Sequence, residues 1–367
     1  MKLFKNIGFV CLTIMAMISG SATAADEPKV LNVYNWADYL PDGLLANFEK
    51  ETGIKVRYDT FDTNEIVHAK LIAGRTGYDI VVPSANWAAL HIQAGLLRKL
   101  DKSQLPNLKN TDPSMMKLLA EVDPGNQHLV NWAWGFVTLG INVDKVKAAL
   151  GGAPMPANAW SLFFDPQYSN KLKSCGISML DSATDIFPAA LHYLGKPAYS
   201  SNPADYADAS KMMRAIRPNV KIFSSGINDL AGGGLCMALG YSGDMNIAAK
   251  RAREGKTGQM IEALVPSTGG LLFYDNMAIP LDAEHPNNAH IFINYILRPE
   301  VAASISNKMS YATMNAASEQ FVDKEIRENK SIFLTPEAKK TMIASGTTTN
   351  DMRRIMTRAF TTFKTGL

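Results

Sequence analysis

Charge imbalance, cysteine and long apolar runs are all scarce in this sequence. Across 367 residues, 37 Lys and Arg oppose 34 Asp and Glu, a net charge of +3. That excludes the basic footprint of a nucleic-acid binder. After Ile18 no apolar run approaches the roughly 18 residues of a membrane span, so a soluble mature protein is expected. The six histidines are scattered, and Pro286 separates His285 from His290. Neither His-Glu-x-x-His nor Gly-x-Ser-x-Gly occurs, so two common hydrolase signatures are missing. Cysteine stands only at 11, 175 and 236.

Residues 1–24 read as a secretory leader. Lys2 and Lys5 form a charged start, Ile7 to Ile18 an apolar stretch too short to span a bilayer, and Ala22-Thr23-Ala24 a cleavage site. Cys11 lies inside the apolar stretch behind Phe9-Val10, which does not suit lipidation. Without Lys2 and Lys5 the chain carries 35 basic and 34 acidic residues, a net +1. Two cysteines then remain, Cys175 and Cys236. An isolated pair in an oxidising compartment suits one disulfide, and two unpaired buried thiols are the other reading.

Short apolar strands alternate with amphipathic helices. Strands are expected at 30–34, 55–60 and 79–83, with helices at 43–52 and 64–73 between them. This β-α-β-α-β order predicts a parallel α/β sheet. A strand at 135–142 is expected to cross to a second α/β unit. That unit has strands at 175–180 and 235–240 and helices at 186–194, 206–216 and 245–254. Strands at 261–265 and 277–280 return to the first unit, and helices at 287–297, 335–345 and 350–364 close the chain. The expectation is an α/β protein of two lobes joined by two crossings. Lobe 1 comprises 25–134 with 262–310, lobe 2 comprises 135–261, and 311–367 packs mainly on lobe 1 and the hinge. Ligands of open α/β sheets sit at strand carboxyl ends, so the natural site is the cleft between the lobes.

Polar and aromatic residues gather at those ends. They include Trp36, Asp38 and Tyr39 after the first strand, Ser84 after the third, and Asp185, Tyr241 and Asp244 in the second unit. Phe273 and Asp275 stand near the return. Aromatic faces attract ammonium groups at about 0.5–2 kcal/mol per contact. Carboxylates accept their N–H donors in charge-assisted bonds. The pattern therefore suits a cationic ligand, a diamine in particular. Other readings stay open: Ser182-x-x-Asp185 fits a capping box, Asp244 fits a cap for a helix starting at Met245, Asp38 fits an Asx turn, and Trp36, Tyr241 and Phe273 fit packing roles.

Trp36, Asp38, Tyr39, Ser84 and Asp244 fall in longer blocks, which run Val33-Tyr34-Asn35-Trp36-x-Asp38-Tyr39, 48–56, Val81-Val82-Pro83-Ser84, 172–176, Leu180-Asp181, 193–196, 227–231 and Gly243-Asp244. In them the chain resembles the periplasmic polyamine-binding proteins of bacterial ABC importers, especially the putrescine-binding type. The resemblance implies a two-lobed periplasmic-binding-protein fold of type II that closes on its ligand. It also implies a periplasmic monomer, a polyamine ligand, an inner-membrane ABC permease as partner, and no cofactor, metal or catalytic residue. It assigns Trp36, Asp38, Tyr39 and Ser84 to one wall and Asp185, Tyr241 and Asp244 to the other, with Phe273, Asp275 and Tyr311 completing the slot. Asp244 would face one amine, and Asp275 with Asp38 the other. It further implies a Cys175–Cys236 disulfide.

The chain departs from the putrescine-binding pattern at four places. Ala37 replaces Ser, Asp185 replaces Glu, Tyr241 replaces Trp, and Ser310 stands where an aromatic is usual. Spermidine, cadaverine, agmatine and ω-amino acids are thus alternative ligands. No Arg or Lys stands in the quoted strand-end segments to hold a ligand carboxylate, which favours a diamine. A secreted hydrolase using paired carboxylates, and a metal or anion binder of the same fold, are the readings from other classes.

Overall fold

The computed structural model describes residues 27–37 and 39–366. The expected leader and Asp38 lie outside the described residues. The first part of the chain runs β1 (Val30–Trp36), α1 (Leu44–Thr52), β2 (Lys55–Phe61), α2 (Asn64–Ala73), β3 (Ile80–Val81), α3 (Ala85–Gln93) and α4 (Pro113–Leu119). Then come β4 (Val130–Asn142), α5 (Val143–Leu150), α6 (Ser161–Phe164), α7 (Pro166–Leu172), β5 (Ile177–Met179), α8 (Ala183–Tyr193), α9 (Pro203–Ile216), β6 (Val220–Phe223), α10 (Ile227–Ala231), β7 (Met237–Tyr241) and α11 (Ser242–Glu254). The rest is β8 (Ile261–Ala263), β9 (Leu271–Met277), α12 (Pro286–Ile296), α13 (Pro299–Met309), α14 (Lys324–Glu328), α15 (Pro336–Thr341) and α16 (Asn350–Thr365).

Two sheets organise two lobes. β1 pairs in parallel with β2 and β3, giving the order β2-β1-β3. The second sheet has the order β6-β5-β7-β4-β8. Helices α1 and α2 supply the crossovers that the parallel pairing of β1, β2 and β3 needs, whereas in the second sheet β4 runs antiparallel to β7, β8 and β9. Leu31, Val33, Phe48, Ile80, Phe292 and Ile293 anchor the first lobe's core. Leu139, Phe163, Ile177, Phe187, Met237 and Leu239 anchor the second.

β4 is the longest strand, and every residue in it is buried. Its first part pairs with β9 and its last part with β7 and β8, so it runs from one lobe into the other. It starts at Val130, five residues before the strand expected from sequence. The return strand is Leu271–Met277 where 277–280 was expected. Phe273 and Asp275 therefore lie on the strand itself. Residues 278–280 make only isolated bridges to Val81 and Leu97.

The chain crosses between lobes a third time, against the two crossings expected. The helix expected at 335–345 ends at Thr341. Ile343 then joins the crossing strands: its N–H donates to Gly270 O at 2.9 Å, and its carbonyl accepts from Leu272 N at 2.8 Å. Those bonds use the Ile343 backbone N–H and C=O that a continued helix would need for its own ladder. Gly269 stands where this segment touches the β8–β9 connection. Its φ is +94°, and a Cβ there would meet the Thr341 carbonyl, so only glycine fits.

The end of the chain corrects a second expectation. α15 lies on the first lobe, where Lys339 pairs with Asp112 at 3.2 Å. α16, in contrast, buries Met352, Met356, Phe360 and Phe363 in the second lobe's core. Those residues recur at helical spacing, so the apolar stripe was legible, but its partner surface lies far away in sequence. Thr349 caps α16 by accepting from Met352 N at 3.2 Å.

Cys175 and Cys236 form the disulfide, with Cα atoms 5.4 Å apart. It ties the α7–β5 connection to the start of β7 and spans 61 residues of sequence. Replacing both cysteines with serine should lower stability by about 2–4 kcal/mol, read from the midpoint of a urea transition. An unchanged midpoint would mean that the bond adds nothing.

Candidate functional site

A cleft of about 930 Å³ opens between the lobes. It is built from the strand ends where sequence placed the candidate residues. Trp36 ends β1, and its indole N–H donates to Val82 O at 2.9 Å, which fixes the ring. The rings of Trp36, Tyr39, Tyr311, Phe273 and Tyr241 then follow one another at centroid spacings of 6.3, 6.5, 5.7 and 5.2 Å. They make one aromatic wall with contributions from both lobes. Phe273 meets Tyr241 and Tyr311 edge to face, at 70° and 76°, the favoured aromatic arrangement.

Three inner carboxylates of this cleft each accept a hydrogen bond from a tyrosine hydroxyl. Tyr39 donates to Asp275 at 2.8 Å, Tyr241 to Asp185 at 2.8 Å, and Tyr311 to Asp244 at 3.0 Å. Serines add two more bonds, Ser84 to Asp275 at 2.6 Å and Ser182 to Asp185 at 2.5 Å. Ser84 is held in turn by Asn64, whose amide donates to the Ser84 hydroxyl and accepts from its backbone N–H, both at 3.0 Å. Asn64 was not singled out from sequence; the helix start it occupies gave no functional signal.

The capping alternatives for the two second-lobe acids are settled by this geometry. Ser182 precedes α8, but its side chain caps no backbone N–H and turns to Asp185 instead. α11 begins at Ser242, so Asp244 lies inside its first turn, and its carboxylate accepts from Tyr311. Both acids thus face the cleft from helix N-termini, where the helix dipole favours negative charge.

Two glycines make room for Tyr311. A Cβ on Gly135 would fall 2.8 Å from its ring, and one on Gly243 would collide with it. The ring passes between β4 and α11 and delivers its hydroxyl to Asp244. Ser310, just before it, adopts a left-handed conformation with φ 54° at the end of α13.

No salt bridge among the described residues reaches Asp185, Asp244 or Asp275. Burial consequently pushes the Asp275 and Asp244 carboxyls up to about 6. Hydroxyl donors oppose the rise at both. The negative Asp185 adds to it at Asp275, and Arg251 opposes it at Asp244. Asp185 is also raised by burial, against its bonds from Ser182 and Tyr241. The Tyr39, Tyr241 and Tyr311 hydroxyls are pushed well above their usual value, first by burial and then by the nearby acids, so they remain donors. Such a cleft suits a ligand that brings positive charge, N–H donors and an apolar body.

The structure brings together Trp36, Tyr39, Ser84, Asp185, Tyr241, Asp244, Phe273, Asp275 and Tyr311. A cation that strand-end reading missed also lines the cleft: Lys364 of α16, bonded to Asp181 at 2.6 Å. Among the described residues no three His, Cys, Asp or Glu side chains gather in a metal-binding group.

The chain is similar to several known proteins. The family described as "Bacterial extracellular solute-binding protein" matches residues 43–333. The putrescine-binding periplasmic protein SpuD of Pseudomonas aeruginosa (strain UCBPP-PA14) is 44% identical, over 99% of this chain and 100% of that protein. The putrescine-binding periplasmic protein PotF of Escherichia coli (strain K12) is 42% identical, over 98% and 97% respectively. Among solved structures, the spermidine/putrescine ABC transporter substrate-binding protein PotD of Streptococcus pneumoniae superposes with a TM-score of 0.77. It is 26% identical and covers 92% of this chain and 99% of its own.

The raised acids predict a pH signature in the ligand-free protein. The folded pKa of Asp244 and Asp275, about 6, exceeds the ordinary 3.8. Their favourable contribution is therefore full below about 4 and lost as pH rises through about 6, on the order of 3 kcal/mol per group. Buried His91, lowered to about 4, works the opposite way and loses stability as pH falls. Comparison with Asp275→Asn isolates the acid. The stability lost between pH 5 and pH 8 should shrink by on the order of 1 kcal/mol in the variant. Identical pH profiles from chemical denaturation would refute the assignment.

Proposed function

The chain belongs to the bacterial extracellular solute-binding protein family, and we propose that it captures a polyamine, putrescine or a close relative, between its lobes in the periplasm and passes it to an inner-membrane ABC permease. The observation that carries this reading is the set of three tyrosine-held carboxylates along an aromatic wall, with no cation paired to them among the described residues. The two putrescine-binding relatives, similar over nearly the whole chain, support it.

The binding mode follows from the parts. One ammonium of a diamine sits among Asp275, Tyr39 and Ser84, and the other near Asp244 and Asp185. Each ammonium offers three donors to carboxylates whose remaining lone pairs face the cleft. The methylene chain lies against Phe273, Tyr311 and Trp36, which shield it from water. Because its acids come from both lobes, the ligand gains more from a closed cleft than from an open one. That difference in affinity is what a ligand needs in order to shift the lobes.

Calorimetry on protein stripped of bound ligand tests the reading. Putrescine should bind with micromolar or tighter affinity, and Asp275→Asn should weaken it about 30-fold to 1,000-fold. No heat with putrescine, cadaverine, spermidine or agmatine would refute the function. Unchanged affinity in Asp275→Asn would remove that acid from the site.

A further inference from the structure

Lys364 is the only Lys or Arg among the described residues lining the cleft, which also carries Asp62, Glu65 and Asp181 beyond the three inner acids. Its ammonium lies 2.6 Å from both oxygens of Asp181. It also sits 5.5 Å and 5.8 Å from the ring centroids of Phe223 and Phe360. A carboxylate with two aromatic faces around an ammonium is the same chemistry that the inner slot offers a ligand. Here the chain itself supplies the ammonium.

The placement is continuous with the inner site. Asp181 immediately precedes Ser182, whose hydroxyl holds Asp185. The lysine's backbone is anchored: Arg217 donates to the carbonyls of Phe363 and Lys364, both at 2.9 Å. The Lys364 and Asp181 side chains keep 34% and 50% of their surface exposed, so a ligand amine can reach the pair and compete for it.

We propose that Asp181, Phe223 and Phe360 form an outer ammonium subsite that the chain fills with its own Lys364, and that this internal ammonium selects against amines long enough to place a third nitrogen there. The inference rests on the polyamine reading of the inner slot. A triamine must displace Lys364 to use Asp181, and the exchange adds no net charge pairing. A diamine that ends within the inner slot avoids this competition.

The test is the ratio of spermidine to putrescine affinity, measured by calorimetry on the full, ligand-stripped chain. Lys364→Met, which keeps the aliphatic stem, should raise the ratio about threefold to tenfold, the range expected when a partly exposed ammonium gains an acid and two ring faces. Lys364→Gln should act in the same direction. Adding Asp181→Asn to Lys364→Met should return the ratio to that of the unaltered protein. A ratio unchanged or lowered in both single variants, with both amines still binding, overturns the subsite and leaves the inner slot standing. An unaltered protein that binds neither amine overturns the polyamine reading and the subsite with it.

Discussion

Asp185, Asp244 and Asp275 share one cleft, and each receives a neutral tyrosine hydroxyl where an ion pair would be expected. A hydroxyl bond orients a carboxylate but does not cancel its charge. Removing that charge from water is costly, and burial raises all three carboxyls in consequence, Asp244 and Asp275 to about 6. At neutral pH Asp244 and Asp275 are still mostly ionised, so without a bound cation the cleft holds unpaired negative charge. A cationic ligand relieves that penalty as well as adding contacts, which ties affinity to charge more than to shape.

The rest of the fold holds those acids in place. Asp275 rides on a strand, bridged to Ser84 across the sheet. Asp185 and Asp244 sit in the first turns of α8 and α11, where the backbone is rigid and the helix dipole favours the anion. Tyr311 reaches Asp244 only because Gly135 and Gly243 leave space for its ring. Three crossing segments, β4, β9 and the stretch around Ile343, join the lobes, and the aromatic wall continues from one lobe to the other. The site and the connection between lobes are thus made from the same strands.

Much of this was legible in the chain. Strands 30–34 and 79–83 announced themselves by apolar runs bounded by helix signals, and the polar residues after them became cleft residues. The cysteine pair stood out because nothing else competed for it. What remained hidden depended on distant contacts or on side-chain direction. Spacing alone left Asp185 and Asp244 as either helix caps or ligand acids, because both roles put an acid near a helix start. The helical stripe of α16 showed that it packs but not on which lobe. Lys364 meets Asp181 across 183 residues, which no local pattern reveals.

Proton release on ligand binding is the most direct test of the stored-charge idea. Calorimetry with putrescine in buffers of differing ionisation enthalpy counts the protons expelled. With Asp244 and Asp275 near half-protonated at pH 6, close to one proton should leave per ligand, and far fewer at pH 8. The same count at both pH values, or no release at pH 6, would contradict the claim that the ligand's charge replaces protons on these carboxylates.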